Sequence, residues 1–140
     1  MLRAVLDANV FVSAAMSPSS PPGRILEHFL AHRAFELVVS PGMVAEVQRA
    51  LGYPRVRRRI APGLDPEEWL LDVVALAEIV ADSDAAGGVS RDPDDDRYVS
   101  AALAGGAGFV VSGDEDLLAV GGYEGILVVS PRVFVELLGR

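Results

Sequence analysis

Short runs of apolar, mostly β-branched residues alternate along the chain with longer segments in which apolar residues recur at helical spacing. The short runs predict buried strands at residues 2–6, 36–39, 78–80, 108–111 and 126–129. The longer segments predict helices at residues 23–32, 41–51, 66–77, 95–104, 115–119 and 132–138. Strands that alternate with helices are typical of βαβ units. We therefore expect an α/β chain with three layers, α/β/α, and a mainly parallel, twisted sheet.

Two segments lack both patterns. Residues 18–23 are rich in Ser and Pro and predict a loop, whereas residues 82–96 hold six aspartates and predict an acidic loop that leads into a helix. Ser40 and Ser130 each end a strand and precede a proline, which favours a helix N-cap at both positions. A chain of 140 residues has the length of one domain, so residues 1–140 are expected to form a single unit.

The composition excludes several kinds of chemistry. The chain has no cysteine, and all 12 basic residues are arginine. Thiolate metal sites, a cysteine nucleophile, a Walker phosphate loop and a Schiff-base lysine are therefore excluded. Although 51% of the residues are hydrophobic, no apolar run approaches the roughly 20 residues of a membrane span, and no leader pattern precedes the first strand. We expect a cytoplasmic protein whose chemistry depends on its 20 carboxylates.

Four acidic side chains lie where the predicted sheet would bring them together. Asp7 follows the first strand, and Asp114 comes two residues after Ser112, which ends the fourth strand. Asp96 begins the helix before that strand, and Glu46 lies at the margin of the buried stripe of the helix after the second strand. Because the carboxyl ends of parallel strands meet at one edge of the sheet, these acids are expected to converge.

Converging carboxylates repel one another and raise one another's pKa unless a cation neutralises them. A set of oxygen ligands without His or Cys suits Mg²⁺ or Mn²⁺. Such an ion can activate water and stabilise displacement at phosphorus. The acids therefore predict metal-dependent hydrolysis of phosphodiester bonds.

Four segments of the chain resemble the PIN-domain family, and in particular its VapC-type toxin ribonucleases. They are VLDANVFVSA (5–14), SPGMVAEV (40–47), RDPDDDRYVSAALAGGAGFVVSGDEDLL (91–118) and ILVVSPRVFVELL (126–138), in the order of the family. The resemblance implies a metal-dependent endoribonuclease, the toxin of a toxin–antitoxin system, with RNA as its substrate. It implies the catalytic acids Asp7, Glu46, Asp96 and Asp114, of which Asp7, Asp96 and Asp114 hold Mg²⁺ or Mn²⁺. Asn9 and Ser112 match supporting polar positions, and we keep Asp92 as an auxiliary acid.

The third acid is open on helical spacing alone, because both Asp95 and Asp96 fit a buried helical stripe. In the family, this acid lies 16 residues before the strand-ending Ser or Thr and 18 before the last acid, a spacing that Asp96 has relative to Ser112 and Asp114. We therefore assign Asp96, and we interpret Asp116 as structural.

The partners follow from charge and from the resemblance. The chain carries a net charge of −8, yet five of its arginines lie within residues 49–59. A polyanion needs such a local positive patch to approach an acidic protein. Candidate RNA contacts are Arg55, Arg57, Arg58 and Arg59. The resemblance further implies a small antitoxin protein and a homodimer or higher homo-oligomer.

Two alternatives remain. A haloacid-dehalogenase-like phosphatase also places an Asp after its first strand, but it needs a second Asp two residues later, where this chain has Asn9. A catalytically inactive PIN fold that binds RNA or protein would not need all four acids. Each acid alone could equally begin a turn or cap a helix, so the prediction rests on their conjunction.

Overall fold

Six strands form one sheet in the computed structural model, which describes residues 1–139. In chain order they are β1 (Arg3–Leu6), β2 (Glu36–Val39), β3 (Glu78–Ile79), β4 (Phe109–Val111), β5 (Gly122–Tyr123) and β6 (Ile126–Val129). Their spatial order is β3-β2-β1-β4-β6-β5, and only β5 runs antiparallel to its neighbour. The prediction of a mainly parallel sheet is confirmed.

Eight helices connect the strands within the described residues. They are α1 (Ala8–Met16), α2 (Pro21–His32), α3 (Pro41–Leu51), α4 (Pro54–Arg57), α5 (Pro66–Leu76), α6 (Asp96–Gly105), α7 (Glu115–Leu118) and α8 (Pro131–Leu138). A short 3₁₀ helix, Pro93–Asp95, immediately precedes α6. Among residues 1–139, no helix combines the length and the apolar character that crossing a membrane requires.

The two faces of the sheet are covered by different helices. Leu6 of β1 packs into a cluster with Phe29 of α2 and Phe134 of α8. Val5, on the opposite face of the same strand, packs into a second cluster with Val99 of α6. Successive residues of a strand point to opposite faces, so this split shows helices on both sides of the sheet. The predicted α/β/α layering is confirmed.

Helix α1 was not predicted, although it directly follows the first strand. Six of its nine residues are buried, so the helix is apolar around most of its circumference, and its polar stripe is limited to Asn9 and Ser13. The predicted loop at residues 18–23 is also shorter than expected. Ser20 caps α2 by accepting the Gly23 N–H at 3.3 Å, and Pro21 occupies the first helical position.

The two serines predicted as N-caps behave differently. Ser130 accepts the Val133 N–H at 3.3 Å and caps α8. Ser40 makes no capping bond, and its hydroxyl is buried without a hydrogen-bond partner in residues 1–139. The carboxylate of Asp82 instead accepts the Gly42 N–H at 3.0 Å, so a residue 40 positions away stabilises the start of α3.

Helix α6 lies close against the sheet at its C-terminal end. A Cβ at Gly105 would lie 2.6 Å from Cγ1 of Val38 in β2, so only glycine fits there without a shift. The Arg3 side chain of β1 donates from Nε to the Gly105 carbonyl at 3.0 Å. These two contacts fix the helix that presents Asp95 and Asp96 at its other end.

The order of the strands defines the place where a ligand would bind. Strand β1 lies in the middle of the sheet, with β2 on one side and β4 on the other. In open α/β sheets, ligands bind beyond the carboxyl ends of the strands at such a reversal of strand order. Asp7 follows β1 and Ser112 follows β4, so both residues lie at this position.

Candidate metal centre

Asp7 is buried and fully engaged at the end of β1. Its Oδ1 accepts the Val10 N–H at 3.0 Å, which caps α1, and its Oδ2 accepts the Ser112 hydroxyl. Its own N–H donates to the Val111 carbonyl at 3.1 Å. Burial raises the pKa of Asp7, although the hydrogen bonds from Ser112 and Val10 oppose the shift.

Ser112 joins Asp7 to Asp114. Its hydroxyl donates to Asp7 and accepts the Asp114 N–H at 2.9 Å. Asp114 in turn caps α7 by accepting the Asp116 N–H at 3.0 Å. One fully buried hydroxyl therefore sets the relative positions of two acids on neighbouring strands.

Asp95 lies beside these two acids, at the junction of the 3₁₀ helix and α6. Only 8% of the residue is exposed, and its Oδ2 has no hydrogen-bond partner in residues 1–139. Burial, the adjoining carboxylate of Asp114 and the charges of Asp92 and Asp7 raise the pKa of Asp95 to about 7. A buried carboxylate oxygen without a donor is costly unless a proton or a cation binds it.

Asp95 also belongs to a second group of acids. Asp92, Asp95 and Asp116 can each place one carboxylate oxygen within 4.8 Å of the other two. Asp116, interpreted as structural from the sequence, therefore lies in this group, where it also pairs with Arg91 at 2.8 Å. We call Asp95 and its four acidic neighbours the acid cluster: Asp7, Asp92, Asp95, Asp114 and Asp116.

Asp96 differs from its expected position. Its two carboxylate oxygens accept the backbone N–H groups of Gly88 and Ser90, at 2.8 and 2.7 Å. Consecutive helical residues point about 100° apart, and here Asp95 adjoins Asp114 while Asp96 contacts the backbone of the acidic loop. Asp96 ties the acidic loop to α6, while Asp95 takes the place beside Asp114 that we had expected for Asp96.

Glu46 lies at the margin of the site and is held by α6. Its Oε1 accepts the Tyr98 hydroxyl, and its Oε2 pairs with Arg97 at 2.9 Å. The Tyr98 hydroxyl also accepts the Ala8 N–H at 3.2 Å, next to Asp7. Burial and the Glu46 carboxylate raise the pKa of Tyr98 far above its ordinary value, so the hydroxyl keeps its proton.

The roles of Tyr98 and Arg97 could not be predicted from the sequence. Tyr98 shares a helical stripe with Asp95, and Arg97 is one of 12 arginines in the chain. Glu46, the partner of both residues, lies 52 positions before Tyr98 in the chain. Such a pair becomes visible only when α3 and α6 are placed in space.

The residues of the acid cluster fit a divalent cation. All the donors are carboxylate oxygens, the ligand type that Mg²⁺ and Mn²⁺ prefer. The unpaired Oδ2 of Asp95 supplies a ligand that no group in residues 1–139 already satisfies. Burial is the main cause of the raised pKa values of Asp7 and Asp95, and the negative charge of Asp114 adds to both.

Residues 3–116 match the family model of the PIN domain. The chain belongs to the PIN domain family. The resemblance seen in the sequence is thereby confirmed. PIN domains are generally nucleases and generally use a divalent metal ion, which supports a hydrolase acting on nucleic acid.

This PIN domain is similar to proteins of several microorganisms. The uncharacterized protein MJ1680 of Methanocaldococcus jannaschii is 25% identical over 122 residues, which cover 85% of this chain and 75% of that protein. PAE2754 from Pyrobaculum aerophilum has a TM-score of 0.63 at 18% identity and covers 99% of this chain and 90% of its own. VapBC2 from Rickettsia felis, solved with a DNA fragment from its promoter, has a TM-score of 0.58 at 15% identity and covers 92% of this chain and 98% of its own. The two solved structures share the fold.

The candidate RNA-binding arginines of the PIN domain have different surroundings. Arg55 and Arg59 line a groove of about 410 Å³ together with Asn9 and Ser13 of α1. We call residues 54–59 the α4 segment, since they comprise α4 and the two residues after it. Arg57 instead forms an ion pair with Glu67. Asn9 is exposed on α1 and lines this groove.

Proposed function

We propose that this PIN domain is an endoribonuclease that cleaves RNA phosphodiester bonds with the help of Mg²⁺ or Mn²⁺. The observation that carries the proposal is the buried, unpaired Oδ2 of Asp95 inside a group of carboxylates. A cluster assembled only for stability would satisfy that oxygen with a donor. Carboxylates kept together without one are suited to a cation.

The roles of the acids follow from their contacts. Asp7, Asp95 and Asp114 would hold the ion, and Asp92 and Asp116, which can each place a carboxylate oxygen within 4.8 Å of one carboxylate oxygen of Asp95, are further candidate ligands. When bound, a divalent ion supplies activated water and neutralises the charge that develops on phosphate oxygens. Ser112 orients Asp7 and Asp114 through its hydrogen bonds. Glu46, fixed by Tyr98, completes the ring of acids or orients the attacking water.

The biological setting is part of the proposal. The neighbour VapBC2 is a toxin–antitoxin complex, and this supports a toxin that a small antitoxin protein restrains. We further propose a cytoplasmic protein that assembles as a homodimer or higher homo-oligomer. These proposals rest on the family and on a shared fold, while the nuclease itself rests on the acid cluster.

Cleavage of a labelled single-stranded RNA tests the proposal. Wild-type protein should cleave with Mn²⁺ or Mg²⁺ and be inactive in EDTA. Asp7→Asn and Asp95→Asn should each lower the rate about 100-fold or more, because a metal ligand supports several kcal/mol of transition-state stabilisation. Asp96→Asn is the matched control, since it changes the adjacent residue and weakens only the contacts to Gly88 and Ser90.

Each other outcome assigns a different role. Loss of cleavage in Asp96→Asn but not in Asp95→Asn would restore the acid chosen from family spacing. Release of inorganic phosphate from a phosphomonoester without RNA cleavage would indicate the phosphatase. No cleavage, together with no Mn²⁺ binding by calorimetry, would leave an inactive PIN fold that binds RNA or protein.

A further inference from the structure

Asn9, which lines the groove between α1 and the α4 segment, follows Asp7 of the acid cluster by two residues. Asp7 caps α1, so the first residues of that helix lead directly away from the acids. Asn9 and Ser13 are four positions apart and share one face of the helix. At 1.5 Å per residue, Ser13 lies about 6 Å beyond Asn9 along the helix axis. These two polar side chains form one wall of the groove.

The opposite wall is cationic. Arg55 and Arg59 are both exposed, and residues 1–139 provide neither of them with an ion-pair partner. Arg57 is the contrast, since it lies outside the groove and its charge is paired with Glu67. Val12 and Val56, both largely buried, contribute apolar surface between the walls.

This combination suits one strand of a nucleic acid. A guanidinium group matches the geometry of phosphate oxygens, and two unpaired ones offset the repulsion of a polyanion by the acid cluster nearby. Apolar surface can contact a ribose or a base. Asn and Ser side chains both donate and accept hydrogen bonds, as recognition of a ribose 2′-hydroxyl requires.

We propose that this groove binds the sugar–phosphate backbone of single-stranded RNA beside the bond that is cleaved. Arg55 and Arg59 contact phosphates, and Asn9 and Ser13 contact the adjoining ribose. The proposal rests on the proposed nuclease function and narrows the four candidate RNA-binding arginines to two. Arg57 takes no part in it.

Binding is measured without catalysis, so that the two proposals are tested separately. The anisotropy of a labelled single-stranded RNA is followed in EDTA, with the full chain as wild type, as the double variant Arg55→Gln with Arg59→Gln, and as the control Arg57→Gln. The double variant should raise Kd about tenfold or more and reduce the salt slope by about 1.4, at roughly 0.7 per lost phosphate contact on a single strand. The control should stay within about twofold of wild type, because its charge is already paired.

Other results overturn the proposal in distinct ways. Equal Kd values for the double variant and the control, or no RNA binding by wild type, would remove the groove as the binding site. Equal affinity for single-stranded DNA of the same sequence would remove the ribose contacts. Mn²⁺ binding by calorimetry should be unchanged in the double variant, and a loss there would mean that the substitutions disturb the acid cluster. If the wild-type protein cleaves RNA but its affinity for RNA does not depend on the groove, the nuclease proposal holds and the groove proposal fails.

Discussion

Tyr98 connects three elements through one hydroxyl group. From α6 it donates to Glu46 on α3 and accepts the N–H of Ala8 at the start of α1. Only 3% of the residue is exposed, and the two hydrogen bonds hold the hydroxyl in place. The side chain therefore couples the orientation of Glu46 to the turn that carries Asp7, and we expect it to act as a positioning residue.

Tyr98→Phe removes this hydroxyl and keeps the ring. We expect the free energy of unfolding to fall by about 1–3 kcal/mol, because the partners lose a hydrogen bond in a largely buried place. The kcat for RNA cleavage should fall about 10–100-fold with little change in KM, as for other groups that orient ligands. Steady-state cleavage and urea unfolding measure the two effects. Tyr123→Phe on β5 is the control, and a kcat in Tyr98→Phe equal to that of Tyr123→Phe would make Tyr98 merely structural.

The position of Asp7, Ser112 and Asp114 could be predicted because each follows a buried strand, and parallel strands end at a common edge. The choice between Asp95 and Asp96 could not be made in this way. The 3₁₀ turn before α6 and the acidic loop decide which carboxylate meets backbone N–H groups and which is left without them. That decision depends on the path of residues 82–92, for which the chain has no periodic pattern.

The elements themselves were predictable where one face was apolar and the other polar. Helices α2 and α3 have this pattern and appear close to their predicted bounds. Helix α1 has only a narrow polar stripe because it is enclosed on most sides, and β5 has only two residues. The turn between β5 and β6 uses Glu124 and Gly125, both with positive φ, and Glu is not a residue that normally signals such a turn.

The close approach of α6 to β2 gives a prediction for Gly105. In Gly105→Ala the new Cβ would meet Val38, which is buried and stiff, so α6 or β2 must shift. We expect the free energy of unfolding to fall by about 1–3 kcal/mol, more than the helix propensity of alanine returns. Gly108→Ala is the control, since nothing lies within 4 Å of its added Cβ. Equal denaturant midpoints for the two variants would contradict the close packing.

At the scale of the whole molecule, the acid cluster links stability to pH. The pKa of Asp95 is raised to about 7, mainly by burial, whereas an unfolded Asp titrates near about 3.9. Between these values the folded metal-free chain binds more protons than the unfolded chain, so this group's contribution to stability falls as the pH rises. Asp7, whose pKa is also raised, acts in the same direction.

Thermal unfolding in EDTA at pH 5 and pH 7.5 measures this effect. The Tm of wild type relative to that of Asp95→Asn should be lower at pH 7.5 than at pH 5, because the variant has no charge to develop at this position. Mn²⁺ should then raise the Tm of wild type at pH 7.5, because a ligand at 100 times its Kd stabilises the folded state by about 2.7 kcal/mol. A difference between the two proteins that does not change with pH would mean that Asp95 is already charged at pH 5.

The sheet ends on both sides in strands of two residues, β3 and β5. A long outer strand exposes a row of unpaired N–H and C=O groups that another chain can extend, and these strands offer almost none. Growth of the sheet from one molecule into the next is therefore disfavoured. We therefore expect the homo-oligomer proposed for this chain to use surfaces other than the sheet edges, with each protomer keeping its own six strands.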